Sequence, residues 1–233
     1  MSEATQIVNR ISGLFAGSDT KFVDGLESAI DQKQPQPFLV VKQDRVQGDW
    51  QADRRHHGGE DRVLHHFPRE HYNQYHEWGM LSSMKDSPSM GENISTVGLL
   101  ENQVNIGDVL QIGEVVVQVT QPRAPCFKLN LQFGHEGFAL KMQQSARCGW
   151  FYRVFETGTI RRSDRILRRQ RTSDISIAEA MAIYFSESFD AAQYQRLLKA
   201  DGLAESWRQS LACRLEHGTI ENWQMRLTGQ MAT

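Results

Sequence analysis

The sequence predicts a mainly β domain with a few short helices, followed by a small helical domain. Short β-branched and aromatic runs recur between Phe38 and Phe155, separated by Gly/Asp turns, a rhythm that suits a barrel or sandwich. From Thr172 onward the apolar residues recur at three- and four-residue spacing instead, with helix caps ahead of them. The division falls between residues 171 and 172, giving a β domain over 1–171 and a three-helix domain over 172–233.

In chain order, Ile7, Val8, Ile11, Leu14 and Phe15 fit either a short amphipathic helix or a strand ahead of Gly17-Ser18-Asp19. Ser28-Ala29-Ile30 reads as a short strand, and Pro35 and Pro37 mark the connection after it. Phe38-Leu39-Val40-Val41 is a β-type run. Val63 to Phe67 is another, closed by Pro68. Arg69 to Trp78 reads as a helix with Tyr72, Tyr75 and His76 on one side. Val109 to Ile112 turns at Gly113-Glu114 into Val115-Val116-Val117-Gln118-Val119, the clearest strand signal in the chain. Gly137 to Ala146 suits a short helix, and Trp150 to Phe155 with a turn at Gly158 suits a closing hairpin.

In the helical region, Ser176-Ile177-Ala178-Glu179 is a capping box, and Ile177, Met181, Tyr184 and Phe185 share one face. Asp190 caps a second helix carrying Tyr194, Leu197 and Leu198, which stops at Gly202. Leu203, Trp207, Leu211 and Leu215 stripe a third, which stops at Gly218. Three such helices are too thin to enclose a core. They are expected to pack on the β domain or a partner, with stripes that are core rather than ligand contacts.

Composition narrows the function. With 23% charged residues and a net charge of −2, the chain lacks the basic excess of a general nucleic-acid binder. No apolar run approaches the length of a membrane span, and residues 1–20 have no signal-peptide pattern. Three scattered cysteines, Cys126, Cys148 and Cys213, fit free thiols in a reducing cytoplasm.

Three loops carry candidate chemistry. Thr120-Gln121-Pro122-Arg123-Ala124-Pro125-Cys126-Phe127-Lys128 follows the strongest strand, and its prolines stop ladder formation. Cys126 is held on this stiff loop between Arg123 and Lys128, whose charges favour a thiolate, the form that binds soft metals or acts as a nucleophile. His57-Gly58-Gly59 with Arg54, Arg55 and Arg62 combines permissive backbone with guanidinium forks suited to an anion. Gly91-Glu92-Asn93 to Gly98-Leu99 gathers a carboxylate, an amide and hydroxyls that read either a heterocycle edge or their own turns. Six histidines between His56 and His76 lack zinc-ligand spacing and are expected at the surface or in hydrogen-bonded loops.

Together, His57-Gly58-Gly59 with Asp61-Arg62, Gly91-Glu92-Asn93 with Gly98-Leu99, and Pro122-Arg123-Ala124-Pro125-Cys126-Phe127-Lys128-Leu129 resemble the motifs of the MOSC family. The helical region resembles that of a bacterial subgroup. The resemblance implies a mixed β-barrel that carries a molybdenum cofactor, a pterin-bound metal with Cys126 as its protein ligand. His57, Gly58, Gly59 and Arg62 would line the cofactor pocket, and Glu92, Asn93, Arg123 and Lys128 would hold the pterin or its phosphate. In the subgroup it further implies reduction of small N-hydroxylated compounds, including hydroxylamino base analogues. Electrons would come from a separate flavoprotein reductase, and a homodimer is compatible with it.

Two segments depart from the family pattern. Its Ser-Ala-Ile-x-Lys appears as Ser28-Ala29-Ile30-Asp31-Gln32-Lys33, so Lys33 falls one place late and on a strand would face the opposite side. Its Gly-Leu-x-Gly-Asp survives only as Gly48-Asp49. Two other functions stand beside the reductase: a carrier of cofactor or sulfur, and a phosphate- or nucleotide-binding module with a structural cysteine.

Overall fold

The structure, a computed structural model, describes residues 6–23, 25–50 and 58–230. His57, with Arg54, Arg55 and His56, lies outside the described residues. The strands are β1 (Gln6–Arg10), β2 (Gly13–Ala16), β3 (Lys21–Val23), β4 (Leu26–Ser28), β5 (Gln34–Pro35), β6 (Phe38–Val41) and β7 (Leu64–Pro68). They continue as β8 (Ile94–Thr96), β9 (Val109–Ile112), β10 (Val115–Pro122), β11 (Trp150–Glu156), β12 (Gly158–Arg161) and β13 (Arg165–Gln170). The helices are α1 (Glu70–Glu77), α2 (Lys128–Phe133), α3 (Phe138–Ser145), α4 (Ile177–Tyr184), α5 (Ala191–Leu198), α6 (Glu205–His217) and α7 (Gln224–Thr228).

Nine strands form one sheet in the order β1-β13-β9-β10-β11-β7-β8-β2-β5, antiparallel except for the parallel β7–β8 pair. The expected closed barrel is not formed among the described residues: the sheet is open, with β1 and β5 at its edges. β5 is two residues long and ends in Pro35, which has no N–H to extend a ladder. The expected Trp150–Gly158 hairpin is also absent. Only Thr157 separates β11 from β12, too few residues for a tight reversal, and β12 pairs with β6 instead.

β10 is buried along its whole length. Helix α4 lies against it, so both faces are covered and the strand reads as a nearly continuous apolar run. The connection into the helices is stitched to the loop before β9. Ile106 donates its amide to Ile175 O at 2.9 Å, Ile177 donates to Val104 O at 2.8 Å, and Arg171 forks onto the buried Asp108 at 2.9 and 2.8 Å. Gly107 permits this approach: at φ +82°, an added Cβ would lie 2.1 Å from Asp201 O.

The capping signals act as expected. Ser176 Oγ accepts the Glu179 amide, Asp190 accepts the amides of Ala192 and Gln193, and Gly218 closes α6 in the left-handed region. A fourth helix, α7, follows the three that were expected; its N-cap Trp223 makes no side-chain cap bond, and Asn222 Oδ1 accepts the Gln224 amide at 2.7 Å. The histidines are less superficial than their sequence suggests. His65, His66 and His71 are buried, and His76 is exposed while Tyr72 and Tyr75 face the core. His66 lies between Tyr152 Oη at 2.9 Å and Thr96 Oγ1 at 2.8 Å, and burial pushes it down to about 3. His71 meets Glu101, whose Oε1 also receives the amides of Cys148 and Gly149.

Candidate functional site

The cysteine loop is fixed at both ends. Its incoming strand pairs Pro122 with Trp150, and the Arg123 amide donates to Gly149 O at 3.1 Å. Gly149 must be glycine there: an added Cβ would meet His66 O at 2.1 Å. The ladder thus runs through residues 120–122, expected in the loop, and ends at Pro122; Leu129 donates to Cys126 O at 3.0 Å, and α2 begins. The Cys126 thiol is free and part-exposed. Cys148 is fully buried, whereas Cys213 stands exposed on α6.

Beside the thiol lies a polar cluster in which His65 and Glu92 are buried and Arg123 is half-buried. Arg123 interacts electrostatically with Cys126 and with Glu92, and desolvation lowers its pKa. Its Nη1 is sealed from solvent and has no hydrogen-bond partner among the described residues. His65 packs against Phe151 with ring centroids 4.9 Å apart. Desolvation, reinforced by Arg123 and Lys33, holds its pKa well below the ordinary range and so favours the neutral ring. Backbone groups of Gly91 and Cys148 lie near its ring, yet Nε2 has no well-aligned partner among the described residues.

Glu92 is fully buried. It accepts Tyr72 Oη–H at 2.7 Å and the Met90 amide at 3.1 Å, and desolvation raises its pKa. Asn93 ties three segments together: it accepts the His65 amide at 3.1 Å and donates to Phe15 O at 3.1 Å and Asp49 Oδ2 at 2.9 Å. Asp49 also holds Lys33 at 2.8 Å. In this structure the polar atoms of Glu92 and Asn93 are engaged with the wall of the cluster.

Gly58, Gly59 and Arg62 lie elsewhere, on a cavity of about 720 Å³. Gly59, at φ +107°, leads into the short turn Glu60–Arg62. Arg62 donates from Nε to Gln121 Oε1 at 3.2 Å and from Nη2 to Ser206 Oγ at 3.1 Å. Asp61 receives the Glu205 amide at 2.9 Å and Arg153 at 2.6 Å. Leu203, Glu205, Ser206 and Arg208 complete a wall, so the helical region shares in this cavity rather than merely covering apolar surface.

The predicted residues therefore fall into two groups. Cys126 and Arg123 sit at the end of β10 with Glu92 near the guanidinium, while Gly58, Gly59 and Arg62 sit at the cavity. Gln121, two residues before Arg123, joins them through Arg62. Lys128 opens α2, two residues beyond the thiol. Sequence reasoning missed His65 and the helical wall. Among the described residues no three His, Cys, Asp or Glu side chains cluster as a metal site.

The donor set fits a pterin-bound molybdenum. One soft sulfur is part-exposed, and beside it a buried guanidinium N–H is unsatisfied among the described residues, a costly state that an anionic ligand would relieve.

The MOSC domain pattern matches residues 53–167, and the YiiM-like, 3-alpha helix domain pattern matches residues 175–218. The chain is 38% identical over 218 residues to Protein YiiM of Escherichia coli, covering 93% of this chain and 97% of that one. It is 32% identical over 148 residues to a protein named Reductase from Gibberella moniliformis, covering 63% of this chain and 26% of that one. The crystal structure of YiiM from Escherichia coli superposes with a TM-score of 0.77 at 34% identity, over 92% of this chain and 96% of that one. A crystal structure titled only as a hypothetical protein superposes with a TM-score of 0.85 at 34% identity, over 97% of both chains.

Proposed function

The chain belongs to the MOSC family and carries its YiiM-like three-helix domain, and from this premise we propose that it is a molybdenum-cofactor-dependent reductase of N-hydroxylated compounds. The observation that carries the reading is the pairing of a free, part-exposed Cys126 with the buried, unsatisfied Arg123 Nη1. The similarity to a fungal protein named Reductase supports the class of reaction.

The cofactor, when bound, supplies removal of the hydroxyl oxygen as water, at a cost of two electrons and two protons. The chain supplies position and charge. Cys126 offers the thiolate ligand, and Arg123 offers a preformed donor to the anionic pterin or its phosphate. Glu92 and Asn93 hold the surrounding wall, and Lys128 adds positive charge beyond the thiol. Gly58 and Gly59 leave their backbone accessible at the cavity, where Arg62 is held by Gln121 and Ser206. His65, buried and favoured in its neutral form, adds no charge that would compete with Arg123. Electrons arrive from a separate flavoprotein reductase in a reducing cytoplasm. The same reading divides the chain after residue 171.

The test is molybdenum and pterin content of protein made in a molybdenum-replete host, with turnover of a hydroxylamino base analogue by a reduced dye. Wild type should bind the metal and turn over, and Cys126→Ser should fold and lose both. Metal without turnover would indicate a carrier, and no metal in wild type would remove the reading.

A further inference from the structure

Beyond α6 the chain does not trail away from the domain. Glu221 receives a two-pronged bond from the buried Arg214, at 2.7 and 2.6 Å, and Trp223 packs edge-on against Phe185. These contacts direct α7 onto the cysteine loop. There Arg226 holds the residues on both sides of Cys126: its guanidinium donates to Pro125 O, and its own carbonyl accepts the Phe127 amide at 2.8 Å. Asn130 donates to Leu227 O at 2.8 Å, and Gly229 lies so close that an added Cβ would sit 2.9 Å from the Phe127 ring. The Arg226 guanidinium also bonds Gln143 Oε1 and lies 4.7 Å from the Phe185 ring centroid.

We propose that residues 219–229 form a strap that positions the Cys126 thiol, and that Arg226 is its positioning residue. The strap lies beyond residues 175–218, which the three-helix pattern matches, so that pattern does not account for it. A helix of five residues has little reason to form alone, and its contacts take in the residues on either side of the thiol, Pro125 and Phe127. A loop that presents a metal ligand needs that ligand fixed to a fraction of an ångström. Two prolines stiffen this one from within, and Arg226 fixes it from outside.

The inference rests on Cys126 as the metal ligand, but its test does not require metal. Full-length chain carrying Cys213→Ser is prepared without molybdate and labelled with iodoacetamide, following Cys126 and the buried Cys148 separately by mass spectrometry. Arg226→Ala should speed Cys126 labelling about ten-fold, the factor for losing a charge-assisted bond that resists local opening. Cys148 should stay protected. Arg226→Lys, which keeps the charge and can donate but lacks the planar fork, should recover part of the protection, and Gly229→Ala should mimic the loss by displacing Phe127. The Phe127 amide should exchange faster with solvent in Arg226→Ala. Unchanged Cys126 labelling in both Arg226→Ala and Gly229→Ala would overturn the proposal. So would Cys148 labelling in step with Cys126, because Arg226 would then only hold the fold together. Failure of the cofactor reading appears separately, as absence of molybdenum from wild type.

Discussion

Lys33 Nζ lies 2.8 Å from Asp49 Oδ2, with both side chains almost fully buried. The two residues belong to the segments that depart most from the family pattern, yet the structure brings them together. The late position of Lys33 does not reverse its face, because residues 30–32 form a turn rather than a strand and absorb the extra place. Asp49 is the hub of this wall, since its carboxylate also accepts the Gly17 amide at 3.1 Å and Asn93 Nδ2 at 2.9 Å.

Breaking the pair from either side should be costly but unequal. A buried ion left without its partner typically loses about 3–5 kcal/mol. Lys33→Met leaves Asp49 two other donors and should fall at the low end. Asp49→Ala orphans Lys33 together with two further donors and should fall at the high end. Urea melts of both variants decide, and a loss below about 1 kcal/mol in Asp49→Ala, typical of an exposed pair, would contradict the hub.

Asp61 should couple the glycine loop to the helical region. Its Oδ2 receives the Glu205 amide at the start of α6, where the capping position holds Ala204 and supplies no side-chain oxygen. Its Oδ1 meets Arg153 at 2.6 Å, with both side chains about one-quarter exposed. Asp61→Ala should cost about 1–2 kcal/mol, mostly from the lost cap. Asp61→Asn keeps an acceptor and should cost less. Hydrogen exchange at the Glu205 amide should rise in the alanine variant, and unchanged exchange would show that α6 does not depend on this contact.

Acid should destabilise the core through His66. Its folded value of about 3 lies below the ordinary value of 6.5, so below about pH 6.5 the unfolded chain takes up a proton that the native chain refuses. Stability therefore falls as pH drops from 6.5 toward 3, by about 1.4 kcal/mol per pH unit for one such group. His65 is shifted in the same direction, whereas Glu92, raised by burial, opposes them above its unfolded value of 4.5. His66→Gln isolates one contribution: it should be less stable than wild type at pH 7, with the gap narrowing by pH 5. A constant gap would mean that His66 does not titrate between the two states.

What the sequence made legible were features set by neighbouring residues. The caps at Ser176 and Asp190 and the stop at Gly218 are local, and each appears where its pattern puts it; the β10 run is local too, though it continues through Pro122. Cys126 was legible as a loop thiol because prolines and cations flank it. Long-range pairing was not legible. β12 leaves β11 for β6, and nothing within Gly158–Arg161 names that partner. His66 and His71 look like surface residues until Tyr152, Thr96 and Glu101 are placed around them. Arg226 lies 100 residues beyond Cys126 in a segment without periodicity, so only the folded chain brings it to the loop.

Arg123 should serve the cofactor at the expense of the empty protein. A buried donor without a partner costs about 1–3 kcal/mol, and more when the group is charged. Arg123 Nη1 is in that state, although Glu92 and Cys126 lie within electrostatic reach of the guanidinium. Such a group is difficult to explain as a structural element, because a methionine of similar reach would fill the space without the polar cost. Arg123→Met should therefore leave the metal-free protein as stable as wild type or raise its melting temperature. Pterin and molybdenum per folded chain should fall ten-fold or more, because the remaining side chain has nothing to donate to an anion and one charge-assisted bond is worth about that factor. Arg123→Lys should retain part of the binding, as a point charge without the planar fork. The measurements are thermal melts of metal-free protein and metal and pterin analysis of protein made with molybdate. If Arg123→Met melted far lower while its cofactor content stayed normal, Arg123 would be a packing residue, and the anion site beside Cys126 would have to be sought elsewhere in the chain.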